Sequence, residues 1–260
     1  AAWYLTKWPA PDFAFVSDCR FPLCYGEKGR CVLTLKRDSV PDVILDMSAG
    51  EASNSVPAEA VICIDRSAHM GDRKVEALQL GMDMREELSG NTVRYTVKGI
   101  PGHAAAPDRC VNPIGLAGML LKDGSGLKPE EKHFLEFFQT ACLDGYGKGL
   151  GIASSDPVFE KLTCAGTVLE MKNRTVTLTM DIRYQPSVNA ADIVKQVQKT
   201  AGLYGFVLSA EEHRDGYCDS IDSEEVKALL SAYDHVVKDG KKPYVMGGNT
   251  YAGMIPNTVC

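Results

Sequence analysis

The segment TVTLTMDIRY, residues 175–184, alternates apolar and polar side chains without a break. Successive side chains of a β-strand point to opposite faces of a sheet, so this pattern predicts a strand with one buried face and one polar face. The buried face is formed by Val176, Leu178, Met180 and Ile182, and the other carries Asp181 and Arg183. The chain is therefore limited to folds that are built on a sheet.

Strand and helix signals alternate along the rest of the sequence. Strands are predicted at DFAFVSD, which ends at Asp18, and at residues 30–35, 60–64, 91–99 and 205–210. Helix starts are predicted by N-cap residues and proline at Asn112, Lys128, Asn189 and Ser223. One further helix would place Val75, Leu78 and Met82 on one face, and the last would place Val226, Leu229, Leu230, Tyr233, Val236 and Val237 on one stripe. These patterns predict an α/β or α+β protein, with a central block at about residues 30–212 of antiparallel-looking strands and helices.

Composition excludes several classes of partner. The 260 residues include 28 basic and 34 acidic residues, a net charge of −6, and no basic stripe of the kind that binds nucleic acid. No apolar run approaches the roughly 20 residues that span a bilayer, and the N-terminus lacks the regions of a signal peptide. The nine cysteines form no C-x-x-C pair, which is typical of a reduced compartment. We therefore predict a cytosolic protein without a membrane or nucleic-acid partner.

One histidine has an unusual setting. KGIPGHAAAPDRCVNP surrounds His103 with small side chains, directly after a predicted strand. Small neighbours leave an imidazole accessible, and such a group can donate a hydrogen bond to a developing oxyanion. Cys110 offers an alternative, a thiol nucleophile paired with this histidine, although no local signature of a catalytic Cys-His pair is present.

Three further polar residues are candidates for binding. Asp18 follows an apolar strand, where carboxylates serve either as metal ligands or as turn caps. The amide of Asn54, in the loop GEASNSVPAEA, offers donors and an acceptor to a substrate, or satisfies its own loop. The guanidinium of Arg183, held on a strand, can bind a carboxylate through two parallel hydrogen bonds or pair with a neighbouring strand residue.

A glycine-rich loop lies near the end of the sequence. In MGGNTYAG, Gly247 and Gly248 lack Cβ atoms, so backbone N–H groups there can approach an anion. The loop matches neither G-x-G-x-x-G nor a P-loop, which gives little support to nucleotide binding. A tight turn is the alternative.

Five stretches, taken in order, resemble one family. FAFVSDCRFPLCYGEKG, GEASNSVPAEA, VKGIPGHAAAPDRCVNPIGLAGMLL, TVTLTMDIRYQP and MGGNTYAGMIPN are similar to the PepV-type dipeptidases. These belong to the zinc metallopeptidases that also include aminoacylase, glutamate-releasing carboxypeptidases and Xaa-His dipeptidases. The pattern GxxxHAxxPxxxxNP alone is moderately specific, and the resemblance covers essentially the whole chain.

The resemblance implies an architecture and a cofactor. Members of this family have a catalytic α/β domain that holds two zinc ions and is interrupted by an inserted α+β lid domain with an antiparallel sheet and helices. On that pattern, residues 1–29 and 213–260 are catalytic-domain segments and residues 30–212 are the lid. Lids of this family can also carry dimerisation surfaces.

The resemblance also implies a role for each candidate residue. Asp18 matches a metal ligand, and His103 matches the lid histidine that stabilises the oxyanion. Asn54 and Arg183 match residues that hold the substrate backbone or its carboxylate, and Gly247 and Gly248 match the loop near that carboxylate. The implied reaction is attack of zinc-activated water on the peptide carbonyl of a dipeptide.

The departures from the family are as informative as the matches. The H-x-D motif, the paired glutamates and the final histidine ligand are absent, the loop has Asn249 where a third glycine is common, and Gly253 stands where an arginine is common. The chain also begins and ends abruptly, so we expect a lid-containing fragment that is inactive by itself. The alternatives are a lid-type binding or dimerisation module, or an N-acyl amino acid amidohydrolase.

Overall fold

A computed structural model describes residues 2–68 and 70–260. Its strands, in chain order, are β1 (Ala14–Phe15), β2 (Cys24–Glu27), β3 (Gly29–Arg37), β4 (Ile44–Ala49), β5 (Ser55–Val56), β6 (Glu59–Asp65), β7 (Met84–Ser89), β8 (Thr92–Lys98), β9 (Gly102–His103), β10 (Ser155–Asp156), β11 (Glu160–Lys161), β12 (Thr163–Lys172), β13 (Thr175–Tyr184), β14 (Val207–Arg214), β15 (Tyr217–Cys218), β16 (Tyr244–Met246) and β17 (Thr258–Val259). The helices are α1 (Ala2–Leu5), α2 (Arg73–Gln79), α3 (Pro113–Leu121), α4 (Pro129–Cys142), α5 (Ala190–Leu203) and α6 (Glu224–Val236). Short 3₁₀ turns occupy Pro107–Arg109 and Ala252–Met254.

One large sheet organises the fold. Its eight strands lie in the order β14-β3-β13-β12-β4-β6-β8-β7, and every neighbouring pair is antiparallel. Helices α3, α4 and α5 pack their apolar faces against the sheet. The predicted fold class, a mixed α/β protein with an antiparallel sheet and helices, is confirmed.

The predicted helix starts at Asn112 and Asn189 are confirmed by their capping hydrogen bonds. The Asn112 side-chain oxygen accepts from the backbone N–H of Ile114 at 3.0 Å, and that of Asn189 accepts from Ala191 at 2.9 Å. Each cap satisfies a backbone donor that has no partner within its helix.

The aromatic residues of α4 form the centre of the core. Phe134, Phe137 and Phe138 are fully buried, and the ring centroids of Phe137 and Phe206 lie 3.9 Å apart. Phe206 directly precedes β14. One face of α4 is therefore built into the core.

One predicted apolar face is wrong. Helix α2 ends at Gln79, before Met82, and buries only Ala77, while Val75 and Leu78 are 46% and 65% exposed.

The apolar stripe predicted for α6 is confirmed in part. Val226 is buried with Leu23, and Leu229 and Leu230 are partly buried against this cluster. Val236, at the end of the helix, is 79% exposed.

Strand prediction was incomplete. β4, β7 and β12 were missed: β7 reads MREELS with only Met84 buried, and β12 carries a bulge between Gly166 and Val168 that interrupts its period. The segment before Asp18 forms only the two-residue strand β1, paired in parallel with β17. Tertiary pairing, rather than local alternation, defines these strands.

A second, three-stranded sheet adjoins the first. β2 lies between β15, to which it is antiparallel, and β16, to which it is parallel. β2 leads through Lys28 into β3, and β14 leads into β15, so the two sheets meet at one end of β3 and β14. The loop after β16 is thereby placed beside that end. Among residues 2–68 and 70–260, none of the helices has the length and apolar character of a membrane span.

Candidate functional site

His103 lies in a two-residue strand pair at the surface. β9 is antiparallel to β5, with His103 opposite Ser55, and the imidazole is exposed. The backbone N–H of Ala105 donates to Nδ1 of this imidazole at 3.1 Å. Because Nδ1 acts as an acceptor, the proton of the neutral ring lies on Nε2. The local turn thus occupies Nδ1 and leaves the Nε2–H group of the exposed ring available to donate a hydrogen bond.

Asn54 is adjacent to this histidine. The backbone carbonyl oxygen of Asn54 accepts from the backbone N–H of Ala104 at 3.0 Å. The residue is exposed. Within residues 2–68 and 70–260, its side-chain amide has no hydrogen-bond partner. The pairing of β5 with β9 therefore brings two predicted site residues together and leaves both side chains accessible.

Arg183 is buried, contrary to its predicted place on a polar face of β13. Its side chain is 4% exposed, and Nε and Nη2 donate to the two carboxylate oxygens of Asp181 at 2.5 and 3.0 Å. Nη1 donates to the carbonyl oxygen of Gly247 at 3.0 Å and to Oδ1 of Asn249 at 2.8 Å. The strand-neighbour ion pair is thus present, and it is combined with contacts to the glycine-rich loop.

The glycine-rich loop is packed against the histidine turn. A Cβ atom on Gly247 would lie 3.2 Å from Cβ of Ala105, a close approach that favours glycine there. In the portion that the structure describes, the backbone N–H groups of Gly247, Gly248 and Asn249 have no hydrogen-bond partner. Unpaired N–H groups in succession can bind an anion.

A buried carboxylate fixes the end of the same loop. Glu27, 1% exposed, accepts from the backbone N–H of Thr250 at 3.0 and 3.1 Å and from its hydroxyl. Arg214 lies 3.6 Å from Glu27 and donates to the carbonyl oxygen of Thr250. A Cβ atom on Gly253 would lie 2.5 Å from Nη2 of Arg214, so the glycine leaves the space that this guanidinium occupies.

The structure brings four of the predicted site regions together. The remaining predicted site residue, Asp18, lies apart from them. Asn54, His103, Arg183 and the loop at Gly247 and Gly248 are joined by the contacts above. Asp18 is exposed, and its side chain takes part in none of these contacts.

The residues of this chain do not make a complete zinc site. Among the described residues, no three histidine, cysteine, aspartate or glutamate side chains come together in a way that could hold a metal ion. A zinc ion in a protein usually has three or four protein ligands, whereas Asp18 is the one ligand predicted here. The role of Asp18 stays a prediction.

Cys110 does not have the setting of a nucleophile. Its thiol points toward the carbonyl oxygens of Ala106 at 3.4 Å and His103 at 3.9 Å, and burial raises its pKa. A catalytic cysteine needs a lowered pKa that favours the thiolate. This geometry gives no support to the Cys-His alternative.

Sequence reasoning missed several residues that shape the site. The sequence pattern places Asp181 only on a polar face and assigns no role to Glu27, Asn249, Arg30 and Arg214. Glu27, Lys28 and Arg30 do stand together in GEKGR, where charged residues interrupt two apolar strands. This run of charged residues between two strands is the sequence signal that could have pointed to the site. In the structure, burial lowers the pKa of Lys28.

The fold and site define a mixed α/β protein in which an antiparallel sheet carries a polar, arginine-containing site. No family model matches the chain. It is 25% identical over 256 residues to a protein named "Putative dipeptidase" in Staphylococcus epidermidis. This alignment covers 93% of this chain and 54% of that protein. A Staphylococcus haemolyticus protein named "Putative dipeptidase SH1171" is 24% identical over 260 residues, and the similarity again covers 93% of this chain and 54% of that protein.

The sequence similarity to dipeptidases that the motifs predicted is thus confirmed over nearly the whole chain, and the chain spans about half the length of these curated relatives. Among solved structures, aminoacylhistidine dipeptidase from Vibrio alginolyticus aligns over 97% of this chain and 59% of its own, at 15% identity and a TM-score of 0.48.

Proposed function

We propose that this chain is the substrate-binding part of a longer metal-dependent dipeptidase. The observation that supports this most directly is the convergence at His103 of Asn54 and of the loop at Gly247 and Gly248. Relatives named dipeptidases, similar over nearly the whole chain, support the reaction class. Residues 30–212 would be the lid, and residues 1–29 and 213–260 would belong to the catalytic domain.

Each residue of the site has a proposed role that its contacts support. His103 would donate from Nε2 to the oxyanion that forms when the peptide carbonyl is attacked, because Nδ1 is already occupied as an acceptor. Asn54 would bind the peptide backbone with its free amide. The free N–H groups of Gly247 and Gly248 would form the side of the site that receives a carboxylate, and Arg183, which donates to the carbonyl oxygen of Gly247, would hold this loop in place.

Asp18 would contribute one metal ligand. Since the described residues provide no complete metal site, we expect the 260-residue chain to bind zinc weakly and to be inactive by itself. Cytosolic location stays a prediction.

The test compares the chain with a longer protein that carries it. Dipeptide hydrolysis should be found only for the longer protein, and robust turnover by the 260-residue chain would contradict the fragment proposal. In the active protein His103→Ala should lower kcat by about 100-fold or more. His235→Ala, at an exposed histidine in the last turn of α6, is the matched control and should leave kcat unchanged.

Substrate class is decided in the same assay. Dipeptides and N-acetyl amino acids differ by the free α-amino group, so parallel kinetics separate a dipeptidase from an N-acyl amino acid amidohydrolase. Faster turnover of the acetylated compounds would overturn the dipeptidase proposal.

A further inference from the structure

We propose that Arg30 is a specificity-determining residue that binds a carboxylate of the substrate beside Asn54. The inference rests on the proposed function for the identity of the substrate, and on the contacts of Arg30 for everything else. Arg30 lies on β3, directly opposite Arg183 on β13.

The position of Arg30 is set by two neighbours. Its Nε and Nη2 lie 2.9 and 2.8 Å from Oδ2 of Asp181, and Nη2 donates to Oγ of Ser53 at 3.3 Å. Ser53 directly precedes Asn54. The guanidinium of Arg30 is therefore held at the edge of the segment that pairs with the His103 turn.

Arg30 has more free donor capacity than Arg183. A guanidinium has five N–H groups, and Arg183 uses four of them in hydrogen bonds to Asp181, Gly247 and Asn249. Within the part of the chain that the structure describes, Nη1 of Arg30 has no hydrogen-bond partner, and its side chain is 28% exposed against 4% for Arg183. Of the two arginines, Arg30 is the one that solvent and a ligand can reach.

Charge balance at this end of the sheet also favours an anion. Arg30 is opposite Arg183 on one side and Arg214 on the other, so three guanidinium groups lie in one cross-strand row. Like charges directly opposite one another are destabilising unless they are compensated. The buried carboxylates that contact this row are Asp181, 0% exposed, and Glu27, 1% exposed.

Two carboxylates shared among three guanidinium groups leave this row with a net positive charge. Arg183 already binds both carboxylate oxygens of Asp181. The excess positive charge is therefore assigned to Arg30, which is more exposed than Arg183. A guanidinium with a free Nη1 binds a carboxylate in preference to a neutral group such as a C-terminal amide.

The experiment measures binding rather than turnover. The 260-residue chain is titrated with alanyl-alanine and with alanyl-alanine amide, and the affinities are measured by NMR for wild type, Arg30→Gln, Arg30→Lys and Arg85→Gln. Arg85, exposed on the edge strand β7, is the matched control. Asp181 keeps the contact from Arg183 in every variant.

Wild type and Arg85→Gln should prefer the free acid to the amide by about ten- to a hundred-fold. Arg30→Gln should lose this preference, and Arg30→Lys should keep only part of it, because an ammonium cannot reproduce the guanidinium geometry. Equal affinity of wild type for the two ligands, binding of neither, or an unchanged preference in Arg30→Gln would overturn the proposal.

The outcome is separate from that of the proposed function. If the longer protein hydrolyses no peptide but the titration gives the expected pattern, Arg30 is still a carboxylate-binding residue and the reaction is different. If the longer protein is an active dipeptidase and Arg30→Gln keeps the preference, this inference alone fails.

Discussion

The guanidinium of Arg183 donates from Nη1 to the carbonyl oxygen of Gly247 at 3.0 Å, and this contact joins residues 64 positions apart. The same guanidinium binds both oxygens of the fully buried Asp181. One side chain therefore connects the large sheet to the glycine-rich loop and neutralises a carboxylate that would otherwise be costly to bury.

Replacing Arg183 by methionine should destabilise the fold. The substitution keeps an apolar stem but leaves Asp181 with Arg30 as its remaining partner, and breaking a buried pair costs about 3 kcal/mol or more. The free energy of unfolding in urea measures the loss, and proteolysis should become faster in the loop at residues 247–250. Arg85→Met on β7 is the control and should change the unfolding free energy by less than about 0.5 kcal/mol. A loss of under 1 kcal/mol at Arg183 would contradict this account.

The contacts of Arg183 also mark the limit of what the sequence could predict. Alternation correctly predicted the strand and the buried face of β13, because that signal is local. The burial of Asp181 and Arg183 depends on the loop at Gly247, which is far away in sequence. Spacing along one strand contains no information about that partner.

The same distinction holds for the site. The histidine turn was predictable from small residues around His103, and the helix at Asn112 from its cap. The junction of β5 with β9, and the row formed by Arg30, Arg183 and Arg214, depend on strand order and register, which local patterns do not specify.

The tautomer of His103 can be tested without any assay of activity. Because the N–H of Ala105 donates to Nδ1, long-range ¹H–¹⁵N spectra of the neutral imidazole should show Nδ1 unprotonated and Nε2 protonated. Ala105→Pro removes the donor and should mix the two tautomers. The exposed His235 provides a reference within the same spectrum. A dominant Nδ1–H form in the wild type would contradict the role proposed for Nε2.

The two asparagine caps should differ in their contribution to stability. Both cap a helix, but Nδ2 of Asn112 also donates to the carbonyl oxygen of Gly166 at 2.8 Å, within the core. Asn189→Ala should cost about 1 kcal/mol, the usual value of a cap. Asn112→Ala should cost about 1–2 kcal/mol more, because a buried carbonyl loses its partner. Chemical denaturation of both variants measures the difference, and equal losses would show that the contact with Gly166 contributes nothing.

Asp219 should make the stability of the fold depend on pH. It lines a cavity of about 260 Å³ with Tyr217, its Oδ2 is buried without a hydrogen-bond partner in the described chain, and burial raises the pKa of its carboxyl above the ordinary 3.8. Because the folded state then holds the proton more tightly than the unfolded state, this residue lowers stability as pH rises from about 3.8 through the folded pKa.

Asp219→Asn removes the ionisation and keeps the shape. The variant should match wild type near pH 3.5 and be more stable at pH 7, by at most about 1 kcal/mol because the partly exposed group is screened by solvent. Thermal unfolding at both pH values measures this, with Asn at the exposed Asp222 as the control. If the Asp219→Asn variant is less stable than wild type at pH 7, the carboxylate has a favourable partner there and its burial is not a cost.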